Sequence, residues 1–180
     1  MKLYELVKQT EGEIQYVKFN SEQYSDIFRF FVMGVDNGIS SKHIKASFQG
    51  ALSISDYDNL DALNLIINVP MFSERLVSKI GDKLSIDADF YPCLINNEYK
   101  YYLCRIKTRL HLINLFRSEY LTLSRPDEKP VLSVPVYYSE TTEDFYLARD
   151  IHEQTKFLLS ERFRQAIMEN NLNVKLKEVV

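Results

Sequence analysis

Apolar and polar residues along this chain follow two different periods. Alternation marks half-buried strands, and returns every three to four residues mark helix faces. "KLYELV" (2–7) and "IQYVKF" (14–19) alternate on either side of "TEGE", which predicts a hairpin or two early strands. In "SEQYSDIFRFFVMGV" (21–35) the helical spacing predicts a helix capped by Ser21 that buries Tyr24, Ile27, Phe28 and Phe31. "DNGIS" (36–40) is a turn signal, because Asn-Gly tolerates positive φ. "ASFQGALSI" (46–54) reads as a strand, "SDYDNLDAL" (55–63) as an acidic loop or short helix, and "NLIINVP" (64–70) as a strand closed by Pro70.

A short phrase then occurs twice. "MFSER" (71–75) returns as "FLLSER" (157–162), with Ser73 and Ser160 87 residues apart. Each serine stands where a helix cap belongs, and each is followed by a glutamate suited to the positive end of the helix dipole. After Ser73, Leu76, Val77 and Ile80 form an apolar face, Gly81 is placed to end the helix, and "LSIDADF" (84–90) alternates with Leu84, Ile86, Ala88 and Phe90 on one side. After Ser160, Phe163, Ala166 and Ile167 form the stripe, Asn170-Asn171 replaces the glycine, and Leu172, Val174 and Leu176 alternate. Each copy predicts strand, capped helix, turn, strand. S-E-R is also a common helix opening, so the pattern leaves true duplication open. Two copies are too few for a solenoid.

Between the copies, "FYPCLINNEYKYYLCRIKTRLHL" (90–112) predicts an aromatic hairpin. With Asn96-Asn97 as its loop, Tyr91 faces Tyr102 and Cys93 faces Lys100. "SRPDEKP" (124–130) is a loop, "VLSVPVYY" (131–138) another extended segment, and "SETTED" (139–144) an acidic connector. The expected fold is α+β within a single domain over 1–180: a mostly antiparallel, twisted sheet, a few short packed helices, and two weakly repeated strand–helix–strand units.

Composition adds limits. At 180 residues a real core forms without staples. Net charge is −3, so no whole-protein basic field for nucleic acid exists, though a local patch is allowed. No apolar run reaches the length of a membrane span, no signal peptide is evident, and the expected location is the cytoplasm. Two cysteines without a secretion signal predict reduced thiols.

Candidate chemistry is thin. His152-Glu153 opens like a zinc-protease helix motif, but Lys156 stands where the second histidine belongs. His43 and His111 are isolated, and Cys93 and Cys104 lack zinc-finger spacing. No nucleophile elbow or phosphate-cradling glycine loop occurs, so neither cofactor nor enzyme activity is expected. "RIKTRLH" is the sharpest local feature. On a strand, Arg105, Lys107, Arg109 and His111 share one face, either a cationic stripe for phosphates or the solvated face of an edge strand.

"DFYPCLINNEYKYYLCRI", "DFYLARD" and "KFLLSERFRQAIMENNLNVKLKEV" together resemble the immunity protein eleven family of bacterial polymorphic-toxin systems. "MFSERLVSKIGDKLSIDADFYP" resembles the same family's first helix leading into the hairpin. The resemblance covers roughly 64–180 and is weakest over 1–60. "NLFRSEYL" (114–121) departs from it, being less acidic than the family pattern implies. The resemblance implies a non-enzymatic cytoplasmic protein that neutralises a cognate protein toxin by tight stoichiometric association. Many such toxins are nucleases with basic clefts. Charge therefore nominates Asp56, Asp58, Asp61, Glu140, Glu143 and Asp144 as partner contacts. The rival expectation is a nucleic-acid-binding or regulatory module on the Arg105–His111 stripe.

Overall fold

The computed structural model describes residues 1–7, 16–49, 60–65, 67–121 and 130–179. In chain order its strands are β1 (Leu3–Leu6), β2 (Tyr16–Phe19), β3 (Ile44–Gln49), β4 (Ala62–Asn64), β5 (Pro70–Ser73), β6 (Ala88–Ile95) and β7 (Tyr99–Ile106). They continue with β8 (Arg109–Leu110), β9 (Glu119–Leu121), β10 (Val131–Val134), β11 (Leu147–Asp150), β12 (Phe157–Ser160) and β13 (Leu176–Glu178). The helices are α1 (Ser21–Phe31), α2 (Glu74–Leu84) and α3 (Glu161–Glu169), with a 3-10 turn at Ile39–Ser41. A six-stranded sheet runs β2-β3-β6-β7-β5-β4 and a five-stranded sheet β13-β1-β12-β11-β8. Most pairings are antiparallel, and β9 and β10 form a separate two-stranded ribbon. The α+β expectation holds.

One core fills the space between the two sheets and takes in both S-E-R helices: Leu76, Ile80 and Leu84 of α2 meet Phe163, Ala166 and Ile167 of α3. A second core lies on the other face of the six-stranded sheet, under Ile27, Phe30 and Phe31 of α1. There Phe30, Phe31 and Tyr91 pack edge to face, with centroids 5.0–5.4 Å apart.

The repeated phrase has a topological meaning. β5 and β6 flank β7, and β12 and β13 flank β1, each flanking strand antiparallel to the middle one. Each strand–helix–strand unit therefore steps over one inserted strand. β7 fills that place in the first unit, and β1, from the other end of the chain, fills it in the second. The three letters do the same work twice. Ser73 and Ser160 cap their helices by accepting from the N–H of Leu76 (3.1 Å) and Phe163 (3.4 Å). Glu74 reaches Lys100 on β7, and Glu161 accepts the Tyr4 hydroxyl on β1. Arg75 pairs with Asp61 and Arg162 with Asp144, each aspartate lying just upstream of the preceding hairpin.

Several local expectations are corrected. Of the two readings for the start of the chain, two early strands holds and the hairpin does not: β1 and β2 lie in different sheets, and buried Leu3, Tyr4 and Leu6 belong to a β1 paired on both sides. The α1 cap is Asn20, whose side chain accepts from the Glu22 N–H, and Tyr24 is exposed because the buried stripe is Ile27, Phe30 and Phe31. Pro70 opens β5 rather than closing a strand; the chain reverses at Asn68 (φ 54°), and a residue without an N–H is tolerated at a strand start. Gly81 lies inside α2, which continues to Leu84 because Leu84 completes the buried Leu76–Ile80 row. Ile86 is consequently 71% exposed, and β6 starts only at Ala88. The β6–β7 loop holds three residues, Asn96, Asn97 and Glu98, so Tyr91 faces Leu103 and Cys93 faces Tyr101. The strand expected over 46–54 begins earlier, at Ile44, and residues 50–54 lie outside the described ones, as does "SRPDEKP" except for Pro130.

Candidate functional site

Of the acidic candidates, Asp56 and Asp58 lie outside the described residues. Asp61 is not an exposed loop acid: it is 2% exposed. Its carboxylate accepts from the Ser73 hydroxyl (2.6 Å), Arg75 Nε (2.9 Å) and the Asn173 N–H (2.7 Å). Burial alone would raise its pKa, but the bonds from Arg75, Ser73 and Asn173 outweigh burial and hold it below the usual carboxylate value. Asp61 is a joint between β4, α2 and the C-terminal segment. Glu140, Glu143 and Asp144 are exposed. Asp144 pairs with Arg162, whose guanidinium stacks 4.4 Å from the Tyr146 ring.

The basic stripe does not form one strand face. β7 ends at Ile106, the N–H groups of Lys107 and Thr108 turn to the Asp87 carbonyl, and Arg109 starts β8 in the other sheet. Arg105 donates to the Gly34 carbonyl (2.8 Å) and lies 4.1 Å over the Phe30 ring. Arg109 donates to the Val32 carbonyl (3.0 Å). Both carbonyls follow the last turn of α1, where the helix dipole favours cations. Lys107 pairs with Asp89, and exposed His111 lies 5.1 Å from the His152 ring. Arg109 also faces fully buried Arg149 across the β8–β11 seam. Burial, then the charge of Arg109, brings Arg149 down to about 10. Its guanidinium donates to the carbonyls of Gln154 and Asn68.

The feature that sequence reasoning missed lies beyond this seam. Buried Asp150 accepts from the N–H groups of Leu112 (2.9 Å), Ile113 (3.1 Å), His152 (2.9 Å) and Glu153 (2.7 Å). It anchors a two-stranded arm. Ile113 bridges to Tyr137, the Asn114 N–H donates to the Val136 carbonyl, and β9 pairs with β10 farther out. Seven of the fourteen exposed large apolar side chains among the described residues lie on this arm. Phe116 is wholly exposed, and Leu121, Val131 and Val134 are about half exposed. Folded surfaces usually scatter such residues singly; their concentration on one arm makes it the candidate interaction site. The signal was present in "NLFRSEYL" and "VLSVPVYY", where the outward positions are not reserved for charge. The arm leads directly into Glu140, Glu143 and Asp144.

Neither cysteine forms an exposed nucleophile. Cys93 and Cys104 are buried on opposite faces of the six-stranded sheet, in different cores, and burial raises both thiols, Cys93 to about 12. Among the described residues no three metal-ligating side chains gather, and no helix is long and apolar enough to cross a membrane. No protein-family model matches the chain, and no curated protein matches it.

Proposed function

We propose that this protein is an immunity protein that neutralises a cognate bacterial toxin by stoichiometric association, without catalysis. The observation that carries this reading is the exposed apolar side chains of the arm over 112–121 and 131–138, backed by the acidic connector 139–144. Arm and connector combine the two parts of a tight interface: an apolar anchor that loses water on contact, and a charged margin that speeds capture and selects the partner. Phe116 is the foremost anchor. The acids suit a toxin with a basic cleft. The alternative, nucleic-acid binding by Arg105, Lys107 and Arg109, is weakened because both arginines are bonded to the end of α1 and Lys107 to Asp89.

The test is rescue of growth. The toxin domain that the resemblance implies is encoded beside this chain would be expressed alone and together with it. Rescue, a one-to-one complex on size exclusion, and loss of both in Phe116→Asp with an unchanged circular dichroism spectrum are expected. Failure of the unaltered protein to rescue sinks the reading; rescue by Phe116→Asp at full strength removes the arm from it.

A further inference from the structure

A second surface lies on the six-stranded sheet, on the face that also packs α2. β-strand register puts Lys18 beside Ser47, Lys45 beside Leu94, and Leu94 beside Lys100, all pointing to this side. Farther along the same face, α2 and the second sheet cover Phe72, Phe90 and Cys104. At the β2-β3-β6 end nothing among the described residues covers it, and Lys18, Lys45, Pro92, Leu94 and Lys100 are exposed. Two open grooves of about 450 and 730 Å³ meet at Lys45. Their lining contributes Lys18, Lys42, His43, Lys45 and Lys100 and no carboxylate. Lys42 is 3.9 Å from Asp26, and Lys100 is held by Glu74. Lys18 and Lys45 have no carboxylate within ion-pair distance among the described residues. A chain of net charge −3 thus concentrates cations on one face.

We infer that this face docks an extended, acidic polypeptide segment bearing apolar side chains between its carboxylates. Charge complementarity sets the sign of the partner. Its chemistry follows from the centre of the patch, where aliphatic Leu94 and Pro92 lie between the ammonium groups. Single-stranded nucleic acid calls for exposed aromatic platforms. Tyr102, on this stretch of sheet, is half-buried, with the Lys100 ammonium 5.4 Å from its centroid. Strands lie about 4.8 Å apart, so Lys45 and Lys100 are about 10 Å apart across Leu94. An extended chain carries side chains on one face about 6.6 Å apart, so Glu-x-Leu-x-Glu spans about 13 Å, within reach of two flexible lysine stems. This face is separate from the arm, and its failure would leave the immunity reading standing.

The probe is a fluorescein-labelled peptide, Glu-Ser-Leu-Ser-Glu-Ser-Leu-Ser-Glu, titrated with the full chain and read by anisotropy. Saturable binding in about 50 mM salt, weakened several-fold in about 200 mM, is expected. Lys18→Glu with Lys45→Glu should weaken it at least about tenfold, a change of about 1.4 kcal/mol. Leu94→Ser should weaken it with the salt dependence unchanged, while Lys175→Glu with Lys177→Glu, the same charge change on the other sheet, should leave local docking nearly intact. No saturable binding at low salt overturns the proposal. So do equal losses from both lysine pairs, unchanged binding by Leu94→Ser, or tighter binding of a nine-nucleotide oligo-dT.

Discussion

Asp61 and Asp144 hold equivalent places in the two S-E-R units, yet their removal should have very different costs. Asp61→Ala leaves the Ser73 hydroxyl and the Asn173 N–H without their acceptor, in a site where the lost side chain was 3% exposed. Each orphaned, partly buried donor costs about 1–1.5 kcal/mol. Arg75 is 52% exposed and turns to water, which limits the loss of its ion pair to about 1 kcal/mol at most. The sum is about 3 kcal/mol. Asp144 is 73% exposed and answers only Arg162, so Asp144→Ala should cost about 0–1 kcal/mol. With an m-value of about 2 kcal/mol/M, urea midpoints should fall by about 1.5 M for Asp61→Ala and by less than about 0.5 M for Asp144→Ala. Equal midpoints for the two variants would refute the assignment of Asp61 as a buried joint. Acid gives a second readout. The folded Asp61 pKa lies below its ordinary 3.8, so its contribution is fully present above that value and is lost as pH falls through the folded pKa. The gap between the native chain and Asp61→Asn should therefore be constant from neutral pH down to about 5 and close in stronger acid.

Gly34 has φ +76° at the end of α1, so Gly34→Ala should lower stability by about 1 kcal/mol in urea titrations. Arg105→Ala removes both the Gly34 carbonyl bond and the stacking on Phe30; a loss of about 1–2 kcal/mol is expected, and no loss would show the contact to be idle. Cys93 and Cys104 are buried with raised pKa, so native protein should not react with a thiol reagent at neutral pH, while denatured protein should titrate two thiols; fast native labelling would contradict the burial. Leu3→Ala truncates a fully buried side chain in the inserted strand of the second unit and should cost about 2–5 kcal/mol; a cost under about 1 kcal/mol would mean that β1 merely rests on β12.

Where the sequence was legible, short-range physics governed. The caps at Ser73 and Ser160 and the buried stripe of α3 follow from neighbours within two turns. The β6–β7 hairpin was also visible, since Asn96 and Asn97 both take positive φ. Its register shifted by one because Glu98 joined the loop, a choice made by the strands on either side. The Leu84–Phe90 alternation misled because Leu84 belongs to the helix period and Phe90 to the strand period. Asp61 looked like one more acid in an acidic run. Only the fold brings it the Asn173 N–H, from 112 residues away. The cationic stripe failed for a related reason: period two requires an unbroken strand, and the chain changes sheets between Ile106 and Arg109.

That change of sheet also explains where the arm can stand. The two S-E-R units and the core between them use β1, β5, β6, β7, β12 and β13 together with both helices, and the second unit is closed by β1 from the far end of the chain. Joining both ends of the sequence in one sheet ties the second unit to the start of the chain. β8 is a two-residue strand at the edge of that sheet, and Asp150 ties the N–H groups of Leu112 and Ile113, just after it, to β11. Beyond Ile113 the chain leaves the sheet and, among the described residues, pairs with the returning segment through Tyr137. The arm therefore has a buried root and, among the described residues, exposed apolar side chains beyond it. Substitutions on the arm, such as Phe116→Asp, leave the core untouched, whereas substitutions at Asp150 should disturb four backbone N–H groups at once. A surface built this way can diversify while the fold beneath it stays fixed.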